Sequence, residues 1–305
     1  MLSGVSVICF AASYTVALVL EVSRLLFRSG VRGAVMMAFA GGGLLAHSVF
    51  LYYRAVSSTA SPLSSQQDWF LIAAWVLVAV YLYLVYYHPK NAFGLFILPL
   101  VLGLIATACL FADPQPYAHE PASKVWGMIH GTSILMGVVA VLIGFVAGLM
   151  YLSQARRLKH KLPPTRGFNL PSLEWLQGAN SRAIVISVLM LGVGVLSGMI
   201  LNRIKGQPDV APLPWTDPVV LSTTLMFAWL LVASGITLVY RPARIGHKVA
   251  YLTLASFVFL MIALGVGLLL ETQHGSPRDE QDRSQVEDTV SGGFPLGCGG
   301  RGGRA

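Results

Sequence analysis

Charged residues are scarce in this chain, and that shortage decides its class. Asp, Glu, Lys and Arg make up 11% of the 305 residues, whereas soluble proteins carry about 25%. Hydrophobic residues make up 55%, and they fall in long runs rather than in alternating or amphipathic patterns. So little polar surface cannot cover a water-soluble core. The composition therefore excludes a soluble enzyme, a disordered protein and a disulfide-linked scaffold, and it predicts an all-α, polytopic helical membrane protein.

Cysteine is also rare, and its placement excludes thiol chemistry. Cys9 and Cys109 lie inside apolar runs, and Cys298 lies in a glycine-rich tail. No Cys-x-x-Cys pair occurs, so the sequence encodes neither a thiol redox motif nor a zinc site. The chain also has no recognisable motif for a nucleophile or a general base. Any function is expected to depend on binding and positioning in or at the membrane.

The apolar runs predict about eight transmembrane helices. Crossing about 30 Å of hydrocarbon takes about 20 apolar residues in a helix. Runs of this kind cover residues 5–27, 33–53, 69–87, 92–111, 125–152, 182–202, 218–240 and 248–271. Residues 1–274 are therefore expected to form one transmembrane domain. Residues 275–305 are polar and glycine-rich, which predicts a disordered tail.

The basic residues predict the orientation of the chain. Thirteen Lys and Arg residues fall in one set of loops or helix ends, and only Arg54, Lys124, Arg203 and Lys205 fall in the opposite set. The richer side is expected to be cytoplasmic, so both termini are expected outside. The basic cluster at 156–166 is interpreted as an anchor for this topology and not as a nucleic-acid site. The predicted location is an energy-transducing membrane of the bacterial inner-membrane type, with the lipid bilayer as a partner.

Two histidines fall inside predicted membrane helices. His47 lies about six residues below the outer end of the second helix, and His130 lies about six residues below the outer start of the fifth. At about 1.5 Å per residue, both would lie some 9 Å below the outer face. Two interpretations remain open. The pair could form a ligand or proton site, or each histidine could make only a local hydrogen bond between helices.

A third histidine and an aromatic loop are expected on the outer side. His274 follows the last helix in the sequence ETQHG, and Trp215 and Asp217 lie in the loop APLPWTDP. Imidazole is the usual axial ligand of haem iron, so His130 and His274 together could hold a porphyrin. Trp215 could offer a flat surface for the macrocycle, or it could belong to an aromatic belt. The belt is the favoured interpretation for Trp69, at the outer start of the third helix.

Glycines four residues apart indicate close contacts between helices. Gly144 precedes Gly148 in the fifth helix, and Gly194 precedes Gly198 in the sixth. This spacing lets two helix backbones approach each other without any need for a cofactor.

Several of these segments together resemble the cytochrome c assembly family, which includes CcsA-, ResC- and CcmC-type proteins and HemX-like proteins. The resemblance covers roughly residues 40–274. It rests on HSVFLYYRAVSSTASPLSSQQDWFLIAAW, on the helix that follows His130, on LPSLEWL, on PWTDP and on the terminal LLLETQHG.

The resemblance implies a haem-handling protein of cytochrome c biogenesis. Such a protein binds haem b at the outer face and presents it for attachment to apocytochrome c, together with a ResB-type partner. It would be at most part of a haem-attachment complex. His130 and His274 would be the axial ligands of the iron. His47 would be an intramembrane haem ligand, and Trp215 and Asp217 would be the remnant of a tryptophan-rich motif.

The chain departs from the family pattern at three positions. Thr216 stands where a tryptophan is expected, and Val219 stands where a lysine is expected. A second intramembrane histidine, expected at the end of the seventh helix, is replaced by Val239 or Tyr240. These departures favour the alternative of a HemX-like accessory or regulatory protein without stable haem binding. A transporter with a His47–His130 relay ranks last, because paired broken helices and an internal repeat are absent from the sequence.

Overall fold

The computed structural model describes residues 6–24, 31–57, 65–114, 124–161, 168–204, 216–239 and 246–270. Within these ranges the chain forms eight α-helices. They are α1 (Val7–Ser23), α2 (Arg32–Ser57), α3 (Gln66–Tyr87), α4 (Gly94–Leu110), α5 (Lys124–Lys159), α6 (Leu173–Ile204), α7 (Pro218–Val239) and α8 (Gly246–Leu269). An isolated β-bridge joins Asn91 and Asn169. The prediction of an all-α protein with about eight helices is confirmed.

The lengths and compositions of the helices identify a multi-pass membrane protein. Six helices, α2, α3, α5, α6, α7 and α8, are both long enough and apolar enough to cross a bilayer. The other two, α1 and α4, are apolar but have 17 residues each. At about 1.5 Å per residue they extend about 25 Å, which is at the short end of the range for a membrane span.

Two helices extend well beyond their apolar runs. The helix α5 has 36 residues and α6 has 32, so each is longer than the roughly 30 Å hydrocarbon layer requires. The extra turns of α5 carry Arg156, Arg157 and Lys159. The helix α6 begins at Leu173, nine residues before the predicted run that starts at 182. The run missed these first turns because they include polar residues such as Gln177 and Asn180. Hydropathy detects the apolar part of a helix and not its polar extension.

The helices pack in two groups that are joined through α5. In the first group, α1 packs against α2 and α4, and α3 packs against α2 and α4. In the second, α5 packs against α6 and α8, and α7 packs against α6 and α8. Contacts of α3 and α4 with α5 connect the groups. Glycine allows the close approach of α5 and α8, because a Cβ atom at Gly148 would lie 2.7 Å from Oγ1 of Thr253.

One end of the bundle, the basic end, is held by arginine contacts with loop carbonyl groups. Nη2 of Arg24 donates to the carbonyl oxygen of Pro89 at 2.7 Å, and Nη1 of Arg24 lies 3.6 Å from Oε1 of the buried Glu21. Nη1 of Arg157 donates to the carbonyl oxygen of Phe168 at 3.0 Å. Within the basic cluster at 156–166, Arg157 thus has a structural contact with the segment that precedes α6. The predicted tail, residues 275–305, lies outside the described residues.

Candidate functional site

The candidate site lies at the opposite end of the bundle, which we call the His130 end. There the helices α3, α5 and α7 begin, and the helices α2, α4, α6 and α8 end. His130 is in the second turn of α5, and Asp217 directly precedes the first residue of α7. Antiparallel packing of successive helices therefore brings together side chains that are far apart in the sequence.

His130 is held against α6 by a hydrogen bond and by a glycine groove. Its Nδ1 atom lies 2.7 Å from the carbonyl oxygen of Gly194. A Cβ atom at Gly198, one turn further along α6, would lie 2.8 Å from Cε1 and 2.9 Å from Nδ1 of the imidazole. The half-buried ring thus lies in the space that the missing side chain leaves. At Gly198 the close approach is a contact with His130 itself, whereas a Cβ atom at Gly194 would lie 2.7 Å from Cγ1 of Ile134.

The hydrogen bond to Gly194 fixes the tautomer of His130. A carbonyl oxygen can only accept, so Nδ1 must carry the proton, and in the neutral ring the lone pair is then on Nε2. The hydroxyl of Ser197 donates to the same carbonyl oxygen at 2.9 Å. Histidines that bind metals usually donate their second ring N–H to a carbonyl or carboxylate oxygen, which orients the ring and raises its basicity. The donor set around His130 therefore fits an axial ligand of haem iron.

Asp217 caps α7 at the same end of the bundle. Its Oδ1 atom accepts a hydrogen bond from the backbone N–H of Val219 at 2.9 Å, and the residue is 4% exposed. A carboxylate in this position satisfies a backbone N–H of the first turn and interacts favourably with the helix dipole. Asp217 thus fixes the point at which the preceding loop joins α7.

Trp215 and His274 lie outside the described residues. The helix ends from which their segments continue are nevertheless close to each other, because a Cβ atom at Gly267 of α8 would lie 3.8 Å from Cγ2 of Val219 in α7. Val219 is four residues after Trp215, and Gly267 is seven residues before His274. The two segments therefore join the bundle at neighbouring helix ends.

The first turn of α3 contacts this region through two residues. The indole of Trp69 lies on Gly131, because a Cβ atom there would be 2.3 Å from Cη2 of Trp69. Nε2 of Gln66 donates to the carbonyl oxygen of Gly267 at 3.1 Å. The sequence pattern favoured a membrane-belt role for Trp69 and gave no signal for its contact with α5. Only the glycine after His130 could have indicated that another side chain approaches there.

A polar network fixes the start of α3. Ser65 and Asp68 form a capping box, in which each side chain bonds to the backbone N–H of the other. Nε of Arg54, near the end of α2, lies 2.5 Å from Oδ1 of Asp68. Nε2 of Gln67 donates to the carbonyl oxygen of Ala108 in α4 at 3.1 Å. These bonds connect the ends of α2 and α4 to the first turn of α3.

His47 is completely buried between α1 and α2. Its ring stacks on Phe10, with centroids 4.0 Å apart and planes within 3° of parallel, and its Nδ1 atom lies 3.3 Å from the hydroxyl oxygen of Tyr14. The residue is 0% exposed. Its Nε2 atom has no hydrogen-bond partner in the described part of the chain. Tyr14 in turn lies against Gly43, where a Cβ atom would be 2.6 Å from its ring.

The two intramembrane histidines contact different helices. His47 packs against α1, whereas His130 packs against α6. The helices that carry the two histidines, α2 and α5, both pack against α3. For each histidine the structure describes a local contact between helices, which was one of the two open interpretations. No group of three His, Cys, Asp or Glu side chains suited to a metal ion occurs within the described ranges.

Comparison with known proteins indicates the family. Residues 36–274 match the family model described as "Cytochrome C assembly protein". The chain is similar to the cytochrome c biogenesis protein CcsA of Guillardia theta, with 26% identity over 249 residues, which cover 74% of this chain and 80% of that protein. It is also similar to the CcsA protein of Synechococcus sp. (strain JA-2-3B'a(2-13)), with 24% identity over 137 residues, which cover 44% of this chain and 37% of that protein.

Proposed function

Because this chain belongs to the cytochrome c assembly protein family, we propose that it binds haem at the His130 end and presents it for attachment to apocytochrome c. A role in cytochrome c biogenesis follows from the family. The finer proposal depends above all on one observation, the 2.7 Å hydrogen bond from Nδ1 of His130 to the carbonyl oxygen of Gly194. That bond places the proton on Nδ1 and orients the imidazole ring.

We assign the axial ligands to His130 and His274, and the cofactor or cargo to haem b. His274 follows α8, whose last turn accepts a hydrogen bond from Gln66 and lies against Val219 at the start of α7. Trp215 would provide a flat surface next to the ring. Asp217 would position Trp215 indirectly, since the Asp217 carboxylate fixes the start of α7.

Bound haem would supply the reactive vinyl groups and the iron, and the protein would supply position. Formation of a thioether bond needs reduced cysteine thiols held next to the porphyrin edge in one orientation. The hydrogen bond to Gly194 fixes the ring plane and the tautomer of His130, so the side chain would lose little conformational entropy when it binds the iron. Bis-histidine ligation would also influence the reduction potential through the identity and burial of the ligands. The chain would thus act as one part of a haem-attachment complex.

His47 would be a second ligand position, deeper in the bundle. Its Nε2 atom is buried and has no partner among the described residues. Its ring is oriented by Phe10 and Tyr14 in the same way that outer-shell residues orient metal-binding histidines. Because α1 covers this ring, access to Nε2 would require α1 and α2 to separate.

The basic end of the bundle supports an orientation with that end on the cytoplasmic side. The last turn of α5 and the loops at that end carry most of the arginines and lysines, which are retained on the cytoplasmic side of bacterial-type inner membranes. The His130 end and both termini would then face outward, where apocytochrome c and a ResB-type membrane partner would meet the bound haem.

A HemX-like accessory role is the second candidate. The short motif around Trp215 and the absence of a histidine at the end of α7 favour it. In that case His130 and Asp217 would serve only helix packing and helix capping. Such a protein would not retain haem in stoichiometric amounts.

A genetic and a spectroscopic measurement together test the proposal. We expect a deletion strain to lose covalent c-type cytochromes, and we expect the wild-type gene, but not His130→Ala, to restore them. The wild-type protein purified in detergent should show a Soret band at about one haem per chain. A purified protein without haem, together with normal c-type cytochromes in the deletion strain, would instead support the accessory role.

A further inference from the structure

The face of α3 that carries Gln66 and Trp69 points toward both helices that lead to the proposed haem ligands. These two residues are three apart, so they lie on the same side of the helix. Trp69 contacts Gly131, the residue after His130 in α5, and Gln66 donates to Gly267 in α8, the helix that precedes His274. The first turn of α3 is thus the part of the first helix group that borders the candidate site.

The contact between Trp69 and α5 is unusually close for an aromatic belt residue. A Cβ atom at Gly131 would lie 2.3 Å from Cη2 and 2.6 Å from Cζ2 of the indole, so only glycine leaves room for this ring. A belt tryptophan extends its ring toward the lipid headgroups. Trp69 instead directs the edge of its ring against Gly131 of α5, is half-buried, and packs against the core.

Two other tryptophans show what a purely structural role looks like in this bundle. Nε1 of Trp75, also in α3, donates to Oγ of Ser48 at 2.8 Å, and Nε1 of Trp229 donates to Oγ of Ser256 at 3.1 Å. Each of these bonds joins two neighbouring helices. Within the described part of the chain, Nε1 of Trp69 makes no such bond. Trp69 therefore contacts α5 through its aromatic ring without also linking two helices by a hydrogen bond.

The position of Trp69 is fixed before any ligand binds. It directly follows Asp68, which belongs to the capping box with Ser65 and to the ion pair with Arg54. The neighbouring Gln67 bonds to the end of α4. A rigid aromatic side chain loses little conformational entropy when a flat ligand binds beside it.

We propose that Trp69 is a haem-binding residue, which forms an aromatic wall of the site at the His130 end. This inference rests on the proposed function and extends it to a residue of the first helix group. The contact would be apolar and aromatic, between the indole and the porphyrin, and it would leave ligation of the iron to the histidines. Loss of an aromatic contact of this kind is expected to weaken binding by roughly tenfold.

The test is a titration of the full-length protein in detergent with ferric protoporphyrin IX, followed by the Soret band. Trp69→Leu should bind about tenfold more weakly than wild type, with the Soret maximum unchanged because the histidines remain. Trp75→Leu is the matched control on the same helix, and it should bind as tightly as wild type. Trp69→Phe keeps an aromatic ring on Gly131 and should show a smaller loss, of about threefold. Thermal unfolding of each haem-free variant verifies that it is folded.

The outcomes separate this inference from the proposed function. If wild type binds haem and Trp69→Leu binds it equally well, the assignment of Trp69 is wrong and the proposed function stands. If Trp69→Leu shifts the Soret maximum, the residue acts by positioning His130, and the proposed direct contact is wrong. If wild type binds no haem at all, the proposed function itself is wrong.

Discussion

Replacement of Gly198 by alanine should disturb His130 without disturbing the rest of the bundle. The new Cβ atom would lie 2.8 Å from Cε1 and 2.9 Å from Nδ1 of the imidazole. Carbon atoms pack best at about 3.5–4.0 Å, so the ring must withdraw by roughly 0.7 Å or more. The atoms that must move belong to the side chain proposed to bind iron.

The expected size of the effect follows from the hydrogen bond that the movement stretches. Nδ1 of His130 lies 2.7 Å from the carbonyl oxygen of Gly194, and a withdrawal of that size would take the distance beyond the limit of about 3.2 Å for a good N–H···O bond. Loss of an outer-shell partner typically reduces the metal affinity of a histidine site by about 10–100-fold. Alanine also favours the helix by about 1 kcal/mol over glycine, so the haem-free protein should remain folded.

The assay is the haem dissociation constant of the purified variant, measured from the Soret band, together with thermal unfolding without haem. Gly178→Ala is the matched control, since it lies on the same helix and a Cβ atom there would meet nothing within 4 Å. We expect Gly178→Ala to bind haem like wild type and Gly198→Ala to bind at least tenfold more weakly. Wild-type affinity in Gly198→Ala would refute the assignment of His130 as an oriented ligand.

Two further predictions concern stability, both measured by thermal unfolding in detergent. Gly43→Ala would place a Cβ atom 2.6 Å from the ring of Tyr14. This overpacking should lower the free energy of unfolding by about 1–3 kcal/mol and so lower the midpoint of thermal unfolding. Gly42→Ala meets nothing within 4 Å and should leave the midpoint unchanged or raise it; equal effects of the two substitutions would contradict the described packing of α1 on α2. Asp68→Asn removes a capping carboxylate and its ion pair with Arg54, and should destabilise the protein by about 1–3 kcal/mol. An unchanged midpoint would mean that this network does not hold the start of α3.

The sequence was sufficient to predict the fold class, because long apolar runs identify helices independently of their neighbours. The helices are hydrophobic on all sides, however, so the sequence pattern does not reveal which face of a helix meets which partner. For His130, its place near the start of α5 was predictable from the apolar run. Its partner was not, since the contact with Gly194 joins residues that are 64 positions apart.

The same limitation applies to His47 and Trp69. The similar predicted depths of His47 and His130 left a joint site and two local contacts equally open, and the sequence did not indicate that α1 would contact His47 and α6 would contact His130. Trp69 matched the pattern of a belt residue because it follows a loop, and its contact with Gly131 depends on how α3 approaches α5. Glycines in the apolar runs were the most useful signal that remained. Several of them mark the points at which a neighbouring side chain comes closest.

The central claim is that Nε2 of His130 binds haem iron, and electron paramagnetic resonance of the ferric complex tests it most directly. With two histidine ligands the iron is six-coordinate, and the account predicts a low-spin signal in the wild-type protein. His130→Ala should convert this signal to a high-spin form or abolish haem binding, while the Gly178→Ala control retains the low-spin signal. A low-spin signal that persists unchanged in His130→Ala would contradict the claim.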